Sequence, residues 1–128
     1  MIRALGATLA ANRVLFGIGY LIAPERVGGG WIGHQAKSPQ TQVFARALGA
    51  RDLVLGLGAL GALRSGAGAR SWFAAHAIAD GTDLAATIAA REKLPASGYR
   101  FATAMAGAST GIAAAAALLL PSGSGGSP

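Results

Sequence analysis

The chain has 128 residues, 52% hydrophobic and only 12% charged, with a mean hydropathy of +0.46; that is about half the usual charge content, too little to dress an ordinary soluble surface. The net charge of +6 comes without a Lys/Arg run or interleaved aromatics, which argues against a nucleic-acid partner and favours anionic lipid headgroups. The absence of cysteine removes disulfides and thiolate metal sites.

Nothing in the composition divides residues 1–121, so one domain is expected. Four mainly apolar windows of about 20 residues, the length that crosses a bilayer core, predict helices over Ala4 to Ala23, Val43 to Leu63, Ser71 to Ala90 and Phe101 to Leu120. The expected fold class is all-α, a four-helix transmembrane bundle with sequence neighbours antiparallel.

The first window continues past Arg13 through Val14, Leu15, Phe16 and Ile18, so cleavage as a signal peptide would discard half of a span-length segment. Pro24 closes it, and the connection from Pro24 to Gln40 reads as the longest and least regular, with VGGGWIG from Val27 to Gly33 suited to resting at an interface. Tyr20, Trp31, Trp72 and Tyr99 fall near window ends, where amphipathic rings favour the headgroup level. In the second window Ala45, Gly49, Asp52, Gly56, Ala59 and Leu63 form one stripe of small residues suited to close helix packing, with Leu53, Leu57 and Leu60 facing lipid and Arg46 snorkelling from the first turn.

Gly66 and Gly68 precede the third window, where His76, Asp80, Asp83 and Thr87 recur at i, i+4, i+7 and i+11 and so share a face of an otherwise apolar cylinder. A narrow polar stripe of that kind suits a span facing its bundle interior, whereas a soluble Ala-rich bundle, the competing reading, would carry a broad polar face. Pro95 and Gly98 lead into the fourth window, read as a packing helix with Thr103, Gly107, Thr110 and Ala114 on one side and a GxxxG match at Gly107 and Gly111. The tail over 122–128 is Ser, Gly and Pro and is expected to be disordered.

A charge at a span centre costs about 2.5–3.5 kcal/mol on insertion scales. Arg13, Arg51, Asp52 and Asp80 all fall at span centres, with His76 and Asp83 about a turn away. These six are the candidate site residues. Two arginines against three aspartates leave one carboxylate that needs His76, water or a proton. Three kinds of role follow: a structural brace in an accessory membrane component, a proton-coupled small-molecule carrier or channel subunit, or a membrane enzyme using a buried Asp, Asp80 first, as general acid on an apolar substrate.

Metal ligation by His76, Asp80 and Asp83 is disfavoured because the other histidine, His34, lies in a connection; no cofactor-binding loop or nucleophile motif is present either. The DGTD stretch from Asp80 to Asp83 is similar to the paired aspartates of membrane CDP-alcohol phosphotransferases, but the Gly, Ala and Arg that should follow are not at the needed spacing. ARALGARDLVLGLGAL from Ala45 to Leu60, with HAIADGTDLAAT from His76 to Thr87, resembles small four-helix membrane proteins of a domain of unknown function, near the DoxX-like proteins. Arg46, Gly49, Arg51, Asp52, Gly56, Asp80 and Asp83 carry that resemblance, which implies a four-span fold and no activity. A preference for Ala, Gly and Arg points to a high-GC bacterial source, hence a multi-pass protein of the inner membrane, alone, as a homo-oligomer or in a larger membrane complex.

Overall fold

A computed structural model describes residues 1–121 as five α-helices with no strand among them; the expected tail over 122–128 lies outside the described residues. The helices are α1 (Ile2–Ile22), α2 (Pro24–Ile32), α3 (Pro39–Ser65), α4 (Ala69–Ala89) and α5 (Ala96–Leu119), with short 3-10 turns over Gly33–Lys37 and Arg91–Lys93. The four long helices match the four predicted windows, each beginning two to five residues earlier, and α1, α4 and α5 end one residue short of theirs.

Local chemistry sets the ends. Ser38 caps α3 by accepting the Thr41 N–H at 3.1 Å, and Pro39 sits at the first helical position, where its missing N–H costs nothing. Gly66 and Gly68, at φ of 75° and 74°, make the left-handed turn between α3 and α4 that a side chain would disfavour.

The predicted irregular connection is corrected in part. Pro24 starts a helix, Glu25 occupies its favourable first turn, and α2 runs through three consecutive glycines to Ile32. Intrinsic propensity argues against helix there. Packing supplies the difference: Gly28 faces Ala36 and Tyr20, and α5 comes so close that a Cβ on Gly98 would collide with the Trp31 carbonyl.

The long helices run up, down, up and down. Alpha1 lies antiparallel to α3 and α4 antiparallel to α5, and these are the two tightest pairings. The small-residue stripe on α3 is the contact surface: a Cβ on Gly49 would stand 2.7 Å from Tyr20 Cβ, and one on Gly56 2.7 Å from the Ala10 carbonyl oxygen. Gly49, Asp52, Gly56, Ala59 and Leu63 are buried, Ala45 is half-buried, and Leu57 faces outward, but Leu53 and Leu60 are half-buried against neighbouring helices. Tyr20, expected at a headgroup level, is instead buried beside Gly49.

The bundle is layered along its axis. At the end holding both α1 and α4 N-termini, Ala10, Ala59, Leu63, Phe73, Ala113, Ala116 and Leu120 form an apolar core. Arg3 and Arg70 cover that end by donating to the Leu63 and Ala117 carbonyls near the C-termini of α3 and α5, where positive charge complements the helix dipole. The middle layer is polar, and α2 lies across the opposite end.

Alpha5 presents a different face from the expected one. Gly98, Ala113 and Ala116 are its buried residues, with Ala102, Ala106 and Ser109 half-buried on the same side. Thr103 and Thr110 instead bond to carbonyls of their own helix, and no atom outside the helix's own backbone lies within 4 Å of a Cβ placed on Gly107 or Gly111. A one-residue shift of the stripe rotates it by about 100° on a helix of 3.6 residues per turn.

Two of the helices, α1 and α5, are long and apolar enough to cross a membrane by length and composition. Large apolar side chains stand outward on all four long helices: Leu15, Val54, Ile78 and Met105 are exposed, Ile78 by 72%, while Arg13 and Asp80 are each 6% exposed.

Candidate functional site: a buried arginine–aspartate network above a cavity

The middle layer takes one polar side chain from each long helix. Arg13 on α1 donates from Nη1 to Asp52 Oδ1 on α3 at 2.7 Å, and from Nη2 to Asp80 Oδ1 on α4. Ser109 on α5 donates its hydroxyl to the other oxygen of Asp80. Antiparallel neighbours of similar length make this possible, because they bring residues 13, 52, 80 and 109 to one depth.

Arg51 extends the network toward the surface. Its Nη1 and Nη2 donate to the two oxygens of Asp83 at 3.0 and 2.7 Å, a bidentate pair, while Nε and Nη2 reach Asp52 Oδ1 at 3.2 and 3.0 Å. Asp52 Oδ1 thus accepts from both arginines and joins the two halves. A fork that remains charged under all ordinary conditions suits this position better than a lysine would.

All three aspartates therefore hold an arginine, where the charge count left one without a partner. The formal count of two arginines against three aspartates is thus shared across the network instead of resting on one group. His76 does not enter it. Its Nε2–H donates to the Leu55 carbonyl at 2.9 Å, and its ring tilts against Phe73 with centroids 5.4 Å apart. Thr87 bonds to the carbonyl of Asp83 on its own helix at 2.7 Å. Of the four residues on the predicted polar face of α4, Asp80 and Asp83 share the network, Thr87 bonds to backbone, and His76 bonds to backbone through Nε2 while its Nδ1 is buried without a partner among the described residues.

Ser109 is the member that sequence reasoning missed. Its one signal is its spacing with Ala102, Ala106, Ala113 and Ala116, which places it on the small-residue face that packs inward.

Between this layer and α2 lies a cavity of about 190 Å³. Arg13, Asp52, Asp80, Asp83 and Ser109 form its polar side, and Phe16, Tyr20, Trp31, Phe101 and Met105 are among its apolar walls. Phe16, Phe101 and Met105 are exposed, so the cavity opens sideways between α1 and α5. Arg13 Nε and Trp31 Nε1 are buried without a partner among the described residues, and no described donor reaches Asp52 Oδ2. No group of three or more His, Asp or Glu among the described residues is placed to hold a metal ion.

No family model, curated protein or solved structure matches the chain, so its relationships rest on the residues themselves.

Proposed function

We propose that the chain is a four-span protein of the bacterial inner membrane, an accessory or structural membrane component whose helices are held in register by the Arg13–Asp52–Asp80 and Arg51–Asp83 network. The observation that carries this reading is the inversion of polarity. Charged residues are buried at mid-height on α1, α3 and α4, and large apolar side chains stand outward at the same height. A soluble bundle has the opposite arrangement, because water rewards the reverse. In a bilayer the same arrangement pairs the buried charges with one another and offers hydrocarbon to lipid. Of the exposed charges, Arg3, Arg64 and Arg70 lie at one end and Glu25, Arg26, Lys37, Arg91, Glu92, Lys93 and Arg100 at the other, while Arg46 stands outward about two turns into α3, between the α2 end and the network. The likeness to the DoxX-like group rests on Arg46, Gly49, Arg51, Asp52, Gly56, Asp80 and Asp83 alone.

A second reading, a small-molecule carrier or channel subunit, is favoured by the cavity that touches the network. General-acid catalysis by Asp80 is supported less, since both its oxygens already accept hydrogen bonds from Arg13 and Ser109.

Thermal unfolding in detergent tests the brace. Removing Arg51 leaves Asp83 without its bidentate partner; the two side chains are 33% and 23% exposed, so the loss falls below the about 3–5 kcal/mol that deleting one member of a fully buried pair costs. Asp80→Asn keeps an acceptor for Arg13 and costs less. Arg51→Gln is therefore the less stable variant; Asp80→Asn melting below Arg51→Gln would contradict this ordering.

A further inference from the structure

The charge imbalance and the cavity meet at one place. Asp52, Asp80 and Asp83 all line the cavity, but of the two network arginines only Arg13 does, and two of its donors are already committed to Asp52 and Asp80. Asp52 lines this space, and its Oδ2 accepts from no described donor. Around it stand Phe16, Tyr20, Trp31 and Phe101, half of the eight aromatic residues in the chain. Beside low-dielectric apolar walls an unmatched negative charge is felt more strongly than in water, and aromatic faces attract cations for a second, independent reason. An anion entering here would meet three carboxylates.

We infer that this cavity is a binding site for a lipophilic organic cation, an ammonium-bearing aromatic or alkyl compound. Its positive head sits between Asp52 and the aromatic faces and offsets the third carboxylate. Its apolar body leaves past Phe16, Phe101 and Met105 between α1 and α5. Size agrees: an apolar cavity of about 150 Å³ holds benzene, so about 190 Å³ takes a single ring with a small head group. The inference deepens the carrier reading by naming its ligand class. Entry from the bilayer depends on the membrane-spanning reading, but binding by purified protein in detergent does not, so the two fail separately.

Three water-soluble probes that share a ring and differ in charge decide it: phenyltrimethylammonium, benzyl alcohol and benzenesulfonate, each titrated calorimetrically into the purified full chain in a non-ionic detergent. Phenyltrimethylammonium should bind about tenfold more tightly than benzyl alcohol, with benzenesulfonate weakest, as a desolvated cation–π contact beside a carboxylate requires. Benzyl alcohol binding as well as or better than the ammonium would show a site that reads a hydroxyl or shape alone. Benzenesulfonate binding best would show that Arg13 governs the site, and binding of none would show no site; each of these overturns the inference. In Asp83→Asn the network holds two charges of each sign, so the preference for the ammonium should fall to near parity while benzyl alcohol binding stays unchanged. An undiminished preference contradicts the charge argument. Ala106→Leu fills the cavity and should remove ammonium binding, whereas unaltered binding would put the site elsewhere. The probe ranking on the unaltered chain needs no variant, so it decides even if a variant does not fold.

Discussion

At Arg13 two carboxylates on two different helices depend on one guanidinium that is 6% exposed. Arg13→Gln strands both, and it should lower the unfolding midpoint in detergent more than Arg51→Gln, whose guanidinium is a third exposed. Adding Asp80→Asn to Arg13→Gln removes one stranded charge. The double variant should therefore be more stable than Arg13→Gln alone, and a strictly additive loss would mean the two side chains are not coupled. Ser109→Ala removes one hydrogen bond to a charged acceptor and should cost about 1.5–3 kcal/mol by thermal unfolding. Most of this network was legible, because an aspartate or arginine amid twenty apolar residues stands out and helical spacing puts Asp80 and Asp83 on one face. Which oxygen meets which nitrogen was not, since spacing along one helix says nothing about the rotation of its neighbours. Ser109 stayed hidden for that reason, and His76, by spacing one candidate partner for the carboxylates, instead bonds through Nε2 to a carbonyl on α3.

Among the helices, the α1–α3 pairing shows what glycine does when no side chain fits. Gly49→Ala would drive a Cβ to within 2.7 Å of Tyr20 Cβ and 2.8 Å of the Gly17 carbonyl oxygen, so α1 has to retreat from α3. Gly61→Ala meets no atom within 4 Å and gains helix propensity of about 1 kcal/mol. Opposite signs of midpoint shift are expected for the two substitutions by thermal unfolding; a destabilised Gly61→Ala together with a neutral Gly49→Ala would refute the packing described. The stripe on α3 was readable because Asp52 and the leucines gave it contrast. Alpha5 has no such contrast: Ala, Gly, Ser and Thr surround it, every face looks alike, and the inward face was assigned one residue out of phase. Alpha2 was missed because its three glycines oppose helix locally, and only contact with Tyr20, Ala36 and α5 holds them.

Taken as a whole, the molecule puts its Lys and Arg residues unevenly at its two ends. Arg26, Lys37, Arg91, Lys93 and Arg100 lie at the α2 end, against Arg3, Arg64 and Arg70 at the end of the termini. On the membrane-spanning proposal, the positive-inside bias would put the α2 end in the cytoplasm and the termini outside. A phosphatase fused to the C-terminus should be active in whole cells, and an inactive fusion would reverse the orientation. The all-α class was legible in the apolar windows and their helix punctuation, whereas the cavity was not, since it depends on how α2 packs against α1 and α5. The measurement that bears most directly on the membrane-spanning reading is partition of the full chain expressed without detergent. Ultracentrifugation should send it to the membrane pellet, where it should resist alkaline extraction and dissolve only in detergent. A monomer remaining in the supernatant would contradict the inverted bundle and leave a soluble alanine-rich one in its place.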